Sequence, residues 1–328
     1  MPPAEADLRA LLEAHNWFGL RDAVLAGPAP DLAPTDPADK ADVAALELLP
    51  DLEVVSRRPA VAAYTNWPNS QRIVSPMTIN GQPVQFAIDT DASMAAASEA
   101  EAARLGLRPT AGQPAYDGFT GARSTEGHYA IADRLIIGDT ELRNVSFVVL
   151  PDKLEVLSEI PLEQQGLIGL PVLLALQTLR WNRDHELSIG FSPGRFDLRN
   201  ANLSFEGLDP LALAEIEGHR LAMDLDTGSG MSDIWPMFVK KFPELVQDGR
   251  KDKTRIWGAT GDAEVDSVIL PELRMRVAGF PIIFRHAPAL LRSTVPASQW
   301  HYGMLGADLL AQAAEVTLDF KAMRVDLK

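Results

Sequence analysis

Ala222-Met223-Asp224-Leu225-Asp226-Thr227-Gly228-Ser229-Gly230 decides how this chain is read, because Phe86-Ala87-Ile88-Asp89-Thr90-Asp91-Ala92-Ser93 nearly repeats it. Each phrase is an apolar strand running into Asp-Thr and then a turn of small residues. The two aspartates are 226 − 89 = 137 residues apart. A turn glycine precedes each phrase, Gly81 and Gly218, and 218 − 81 = 137. An apolar-glycine phrase follows each, Leu167-Ile168-Gly169-Leu170 and Met304-Leu305-Gly306-Ala307, and 306 − 169 = 137. Three landmarks with one offset imply two copies of one structural unit. Two such copies bring two carboxylates to a pseudo-two-fold axis.

Outward from these phrases the pattern is that of strands. Ile73 to Ile79 and Val84 to Ile88 predict a hairpin that turns at Gly81 and enters Asp89. A short helix is predicted from Ser98 to Leu105, closed by Gly106. A second hairpin spans Tyr129 to Leu150, turning at Gly138-Asp139. Pro171 to Leu176 reads as a short helix, and Leu187 to Phe191 closes the unit. Ser192 to Asp209, rich in turn residues, reads as the crossing. The order then repeats: Leu211 to Ile216, Gly218, Leu221 to Leu225, and a helix holding Met237, Phe238 and Leu245. Strands from Val265 to Phe284, a helix from Ala307 to Ala313 and a hairpin from Val316 to Leu327 complete the unit.

The beginning of the chain has a different pattern. Leu8, Leu11 and Leu12 fall at helical spacing, as do Val43, Leu46 and Leu49. Gly27-Pro28 and the Pro/Asp-rich stretch 29–38 punctuate them. A further helix is expected through Val55. The predicted divisions are a helical region over 1–71, a first unit over 72–200 and a second over 201–328.

Composition narrows the function. With 328 residues, 46% of them apolar, the chain can build two or three cores. A net charge of −15 with no Lys/Arg stripe argues against a nucleic-acid partner. The absence of cysteine excludes disulfides, thiolate metal sites and a cysteine nucleophile. No apolar stretch is long enough to span a bilayer. Met1-Pro2-Pro3-Ala4-Glu5 lacks the basic and apolar regions of a signal peptide.

Two carboxylates held close cannot both ionise easily, so the pair holds one proton and presents an acid and a base together. The base takes a proton from a water lying between the carboxyls; the acid protonates the carbonyl oxygen under attack. This chemistry calls for no metal or cofactor. The neighbours suit it: Thr90 and Thr227 hydroxyls can bond across the axis, Gly228 lets amides approach a carboxylate, and Ser229 offers a further donor.

Taken together, these phrases resemble aspartic proteases. Each unit is similar to a retropepsin-like β-barrel lobe, over roughly residues 72 to 328. The resemblance implies a mainly β, bilobal, pepsin-like monomer with a helical N-terminal appendage. Asp89 and Asp226 would be its catalytic pair, and a peptide or protein its substrate. It also implies glycine-rich flaps over the cleft. Gly118-Phe119-Thr120-Gly121-Ala122 and Gly258-Ala259-Thr260-Gly261-Asp262 stand 29 and 32 residues after their aspartates, with Tyr116 just before the first. Asp91 departs from the family pattern, which has glycine there. A third carboxylate would raise the pair's pKa, point away harmlessly, or cripple the lobe, leaving a peptide-binding pseudo-protease as the alternative function. The compartment stays open, a periplasmic or secreted one being favoured by the resemblance alone.

Other residues read more plainly. None of the six histidines makes a metal-spaced pair. Ser229 lacks a nucleophile elbow. Gly228-Ser229-Gly230 has no lysine to make a phosphate loop. Asp224, two residues before Asp226, shares its strand face and reads as a surface or supporting residue. Trp235, Trp257, Phe119, Phe284 and Tyr302 lie near the motifs, with core packing as the default for each and subsite lining as the alternative for some.

Overall fold

A computed structural model of the chain describes residues 49–67, 70–112, 114, 116–117, 123–124, 126–153, 160–192, 201–206, 208–258, 261–292 and 301–328. The expected helices before residue 49 lie outside the described residues. The protein is mainly β. One sheet of 11 strands is built from the segment between Glu53 and Ile168, and one of 8 strands from that between Leu203 and Leu305. A sheet of 5 strands takes Ala60–Ala63, Thr178–Asn182 and Glu186–Ile189 from one side, and Glu315–Asp319 and Arg324–Leu327 from the other. Among the described residues no helix is long and apolar enough to cross a membrane.

The repeated offset reappears in the backbone. The hairpin Ile73–Ile79/Gln82–Ile88 turns through Asn80 (φ 49°) and Gly81 (φ 84°). The hairpin Asp209–Ile216/His219–Leu225 turns through Glu217 (φ 48°) and Gly218 (φ 79°). Two consecutive left-handed residues form the turn whose twist matches paired strands. At the centre of the five-stranded sheet, Thr178–Asn182 pairs antiparallel with Glu315–Asp319, Arg180 facing Thr317. These two residues are 137 apart, and Arg180 Nε donates to Thr317 Oγ1 at 3.2 Å. The pseudo-two-fold axis therefore passes through this pair.

Local signals account for most elements. The helix Glu99–Leu105 begins where Ser98 Oγ accepts from the Glu101 N–H and ends at Gly106 in the left-handed region. Leu170–Leu176 starts with Pro171 in its first turn and buries Val172, Leu173 and Leu176. Phe86, Ile88 and Ile168 from one unit and Met223, Leu225 and Leu305 from the other lie in one continuous core.

The structure departs from the expectations at several places. Glu53–Ser56 is a strand pairing with Thr140–Arg143, not a helix through Val55. Val54 and Val55 are exposed, so no helical apolar face is buried there, and β-branched residues suit an edge strand. Ala60–Ala63 likewise joins the five-stranded sheet, so strand structure begins well before residue 72. The helix expected over Met237, Phe238 and Leu245 is two helices, Pro236–Lys241 and Pro243–Val246, because Pro243 cannot continue the first. The crossing Ser192 to Asp209 contains a strand, Leu203–Glu206.

Candidate active site

Asp89 stands at the end of the strand Gln82–Ile88, and its N–H donates to Ile168 O at 3.1 Å. Asp226 stands at the end of His219–Leu225, and its N–H donates to Leu305 O at 3.1 Å. The loops after them close alike: the Leu170 N–H donates to Ala92 O at 2.8 Å, the Ala307 N–H to Ser229 O at 2.9 Å. Gly169 and Gly306 make this closure possible. A Cβ on Gly169 would collide with the carbonyls of Ala92 and Met94, and one on Gly306 would lie 2.7 Å from Met231 O.

The two loops meet through their threonines, both buried. The Thr90 N–H donates to Thr227 Oγ1 at 3.1 Å, and the Thr227 N–H donates to Thr90 Oγ1 at 3.0 Å. Each hydroxyl then donates across the axis to the carbonyl before the opposite aspartate, Thr227 to Ile88 O at 2.8 Å and Thr90 to Leu225 O. Four hydrogen bonds thus fix Asp89 and Asp226 relative to each other.

The carboxylates have similar cradles but different surroundings. Asp89 Oδ1 accepts from the N–H groups of Asp91 and Ala92, each at 3.1 Å. Asp226 Oδ1 accepts from the Ser229 N–H at 2.9 Å. Gly228 packs on Asp89: a Cβ there would lie 2.6 Å from Asp89 Oδ1 and nearer still to Oδ2. Burial pushes both carboxyls up. For Asp89 the two N–H groups and Arg72 work against that rise. Asp226 is pushed up to about 8, by burial first and the Asp89 charge second.

Asp91 occupies the position equivalent to Gly228. Burial raises its carboxyl well above the ordinary value, and Asp224, Asp209, Asp226 and Asp89 raise it further. Its Oδ1 and that of Asp224 are buried and have no hydrogen-bond partner among the described residues. Asp224 is 3% exposed, so the surface reading of it is overturned. Burial and the charges of Asp209 and Asp226 hold its carboxyl well up. Asp91 and Asp224 therefore add two buried carboxyl groups beside Asp226, each pushed toward its acid form by burial and by neighbouring acids.

The remaining candidates fall in several places. The Ser229 hydroxyl donates to Met231 O at 2.7 Å, so Ser229 serves Asp226 through its N–H and not its side chain. Gly118, Phe119, Thr120 and Gly121 lie outside the described residues, between the paired strands Tyr116–Asp117 and Arg123–Ser124. Gly258 pairs with Gly261 at the end of the hairpin Arg250–Gly258/Gly261–Val277, while Ala259 and Thr260 lie outside the described residues. Gly261 has φ 118°, a conformation glycine tolerates. Trp235, Phe284 and Tyr302 are core residues, 2%, 2% and 4% exposed. Trp235 stacks on His301, and its indole N–H donates to Asp233.

Arg72 is the residue that motif reading missed. Val74 faces Ala87, and two further steps along the same register bring Arg72 opposite Asp89. Leu211 faces Asp224, and two further steps bring Asp209 opposite Asp226. Arg72 and Asp209 are themselves related by the 137-residue offset. Overlaying the two copies beyond the Asp-Thr phrases is the signal that finds them. Among the described residues no cluster of three or more His, Asp or Glu side chains is placed to hold a metal ion.

Residues 75–172 match the model of a family described as aspartyl protease, so the resemblance to that family is supported over this stretch. No curated protein matches the chain. Among solved structures, basic 7S globulin from soybean is similar at 12% identity and a TM-score of 0.48, over 83% of this chain and 95% of that one. A retropepsin-like aspartic protease from Rickettsia conorii is similar at 20% identity and a TM-score of 0.28, over 42% of this chain and 92% of that one. Both scores lie below 0.5, so neither likeness carries the assignment further.

Proposed function

We propose that the chain is an aspartic endopeptidase: two retropepsin-like lobes, near 72–200 and 201–328, form a pepsin-like bilobal monomer with Asp89 and Asp226 as its catalytic pair. The observation that carries this reading is the reciprocal Thr90–Thr227 bonding, which holds the two Asp-Thr loops together at the axis. The dyad holds one proton. A water between the carboxyls attacks the peptide carbonyl carbon as the ionised carboxyl takes its proton. The protonated carboxyl gives its proton to the carbonyl oxygen, forming a gem-diol. Breakdown reverses the roles: the amine nitrogen receives a proton as the C–N bond breaks, and a diol hydroxyl returns one to the dyad.

The substrate lies extended in the cleft, pairing with backbone at the hairpin end that carries Gly258 and Gly261. Mass-spectrometric mapping of cut sites in a mixed peptide library, from acidic to neutral pH, tests the function. Cleavage that vanishes in both D89N and D226N is the expected result. Full activity in either variant would overturn the dyad.

A second reading, a pseudo-protease that binds extended peptides, is favoured by one observation: Asp91 stands where the other loop has Gly228. It predicts binding of library peptides with no cut sites at any pH.

A further inference from the structure

Arg72 and Asp209 occupy equivalent places on the two sides of the axis but carry opposite charges. Each is reached by continuing its hairpin's register to the aspartate of its own loop, Arg72 to Asp89 and Asp209 to Asp226. Because the same backbone position holds an aspartate in the second unit, the hairpin itself does not require a cation there. Arg72 is nevertheless held with care. Its O accepts from the Trp67 N–H at 3.0 Å, and its own N–H donates to Ser70 Oγ at 3.2 Å. Its guanidinium lies 5.8 Å from the centre of the Trp67 ring.

The second loop closes directly on it. A Cβ on Gly230 would lie 2.8 Å from Ser70 Oγ and 3.6 Å from Arg72 Nε. That Nε is buried and has no hydrogen-bond partner among the described residues. A cation is thus brought to the junction of the two loops, and among the described residues its Nε is not consumed by a hydrogen bond or ion pair.

The other charged groups around the pair are acids. Asp89 is faced by Arg72, Asp91 and Asp226; Asp226 is faced by Asp89, Arg72, Asp91 and Asp224. Asp209 bears on Asp91 and Asp224, and Asp233 on Asp224. Arg72 is the cation of this set. Both carboxyls have backbone donors, Asp91 and Ala92 for Asp89, Ser229 and Gly228 for Asp226, so what separates them is the cation in register with Asp89 and the acid in register with Asp226.

Resting on the dyad reading above, we propose that Arg72 is a positioning residue: its fixed charge, in register with Asp89, leaves the dyad's single negative charge on Asp89 and its shared proton on Asp226. Asp89 is then the base toward water in the resting enzyme, and Asp226 the acid toward the carbonyl.

The test is a carboxyl-carbon NMR titration of aspartate-labelled full-length protein, with D89N and D226N identifying the two signals. Asp226 is expected to titrate at higher pH than Asp89. R72M is expected to raise the Asp89 step more than the Asp226 step, narrowing the gap between them, and R72K to restore the gap; equal shifts of both steps overturn the proposal. An R72M protein that is folded, with unmoved steps, overturns the proposal, as does Asp89 titrating above Asp226. If R72M fails to fold, R72K and R72Q decide: steps that coincide in the two variants overturn it as well. The titration needs no substrate. A chain that cuts no peptide but keeps Arg72-dependent steps retains this inference and loses the peptidase reading.

Discussion

Thr90 and Thr227 are each both donor and acceptor to the other, N–H to hydroxyl at 3.1 Å and 3.0 Å. Both are buried, so bulk water is not at hand to replace a lost partner. T90V leaves the Thr227 N–H and the Leu225 carbonyl unpaired, at a cost of about 1–3 kcal/mol for each orphaned group. T227V does the same to the Thr90 N–H and Ile88 carbonyl. Urea unfolding is expected to show a loss of that order for each variant and little loss for T90S. The double variant is expected to lose less than the sum, since the bonds form one network. Strictly additive losses would show that the hydroxyls act independently.

Asp91 is expected to burden the fold more than it serves the reaction. Its Oδ1 is buried without a hydrogen-bond partner among the described residues, and the charges bearing on it are those of acids. D91N keeps the shape and cannot ionise, so it is expected to raise the urea midpoint more at pH 8 than at pH 5. D91G restores the smaller residue found in the other loop and is expected to preserve or raise peptide cleavage. Complete loss of cleavage in D91G would assign Asp91 a task in the reaction.

Stability is expected to fall as pH rises across the neutral range. Asp226 is held up at about 8 and Asp233 at about 7, both chiefly by burial, against an ordinary value of 3.8. Between the ordinary and the raised values the folded chain binds more protons than the unfolded one, so unfolding becomes easier with each step upward. The decline levels off above the folded values. Urea midpoints are expected to be higher at pH 5 than at pH 8, and D233N to flatten part of that slope. A midpoint that climbs between pH 5 and pH 8 would contradict the burial of these carboxyls in the acid form.

Two glycines separate site from scaffold. A methyl group on Gly228 collides with the Asp89 carboxylate, while nothing lies within 4 Å of the one on Gly218. G228A is expected to lower cleavage by about a hundredfold or more, as misplacing a reacting group by an ångström does. G218A, at φ 79°, is expected to cost about 1–2 kcal/mol of stability and leave cleavage intact. Equal effects on cleavage would remove the special place of Gly228.

The sequence was most informative where backbone chemistry is local. Gly81 and Gly218 announce their turns, Ser98 and Gly106 bracket a helix, and Pro171 opens one. The Asp-Thr loops were legible because the repeat doubled a short signal. What the sequence concealed depends on contacts between distant segments. Glu53–Ser56 looks helical until Thr140–Arg143 offers it an edge. Asp224 looks like a polar strand residue until Met304 and Leu211 pair on its two sides and bury it. Arg72 has no motif around it, and only the strand register puts it beside Asp89.

The facing of Arg180 and Thr317 bears on ancestry. Each of the two central strands lies against its own counterpart, so two identical half-chains could make the same backbone pairing at the seam. A fragment beginning near Leu203, expressed alone, would present the strand Glu315–Asp319 as a bare edge able to accept a twin. Gene fusion would then have joined in one chain a contact that free halves could make between themselves.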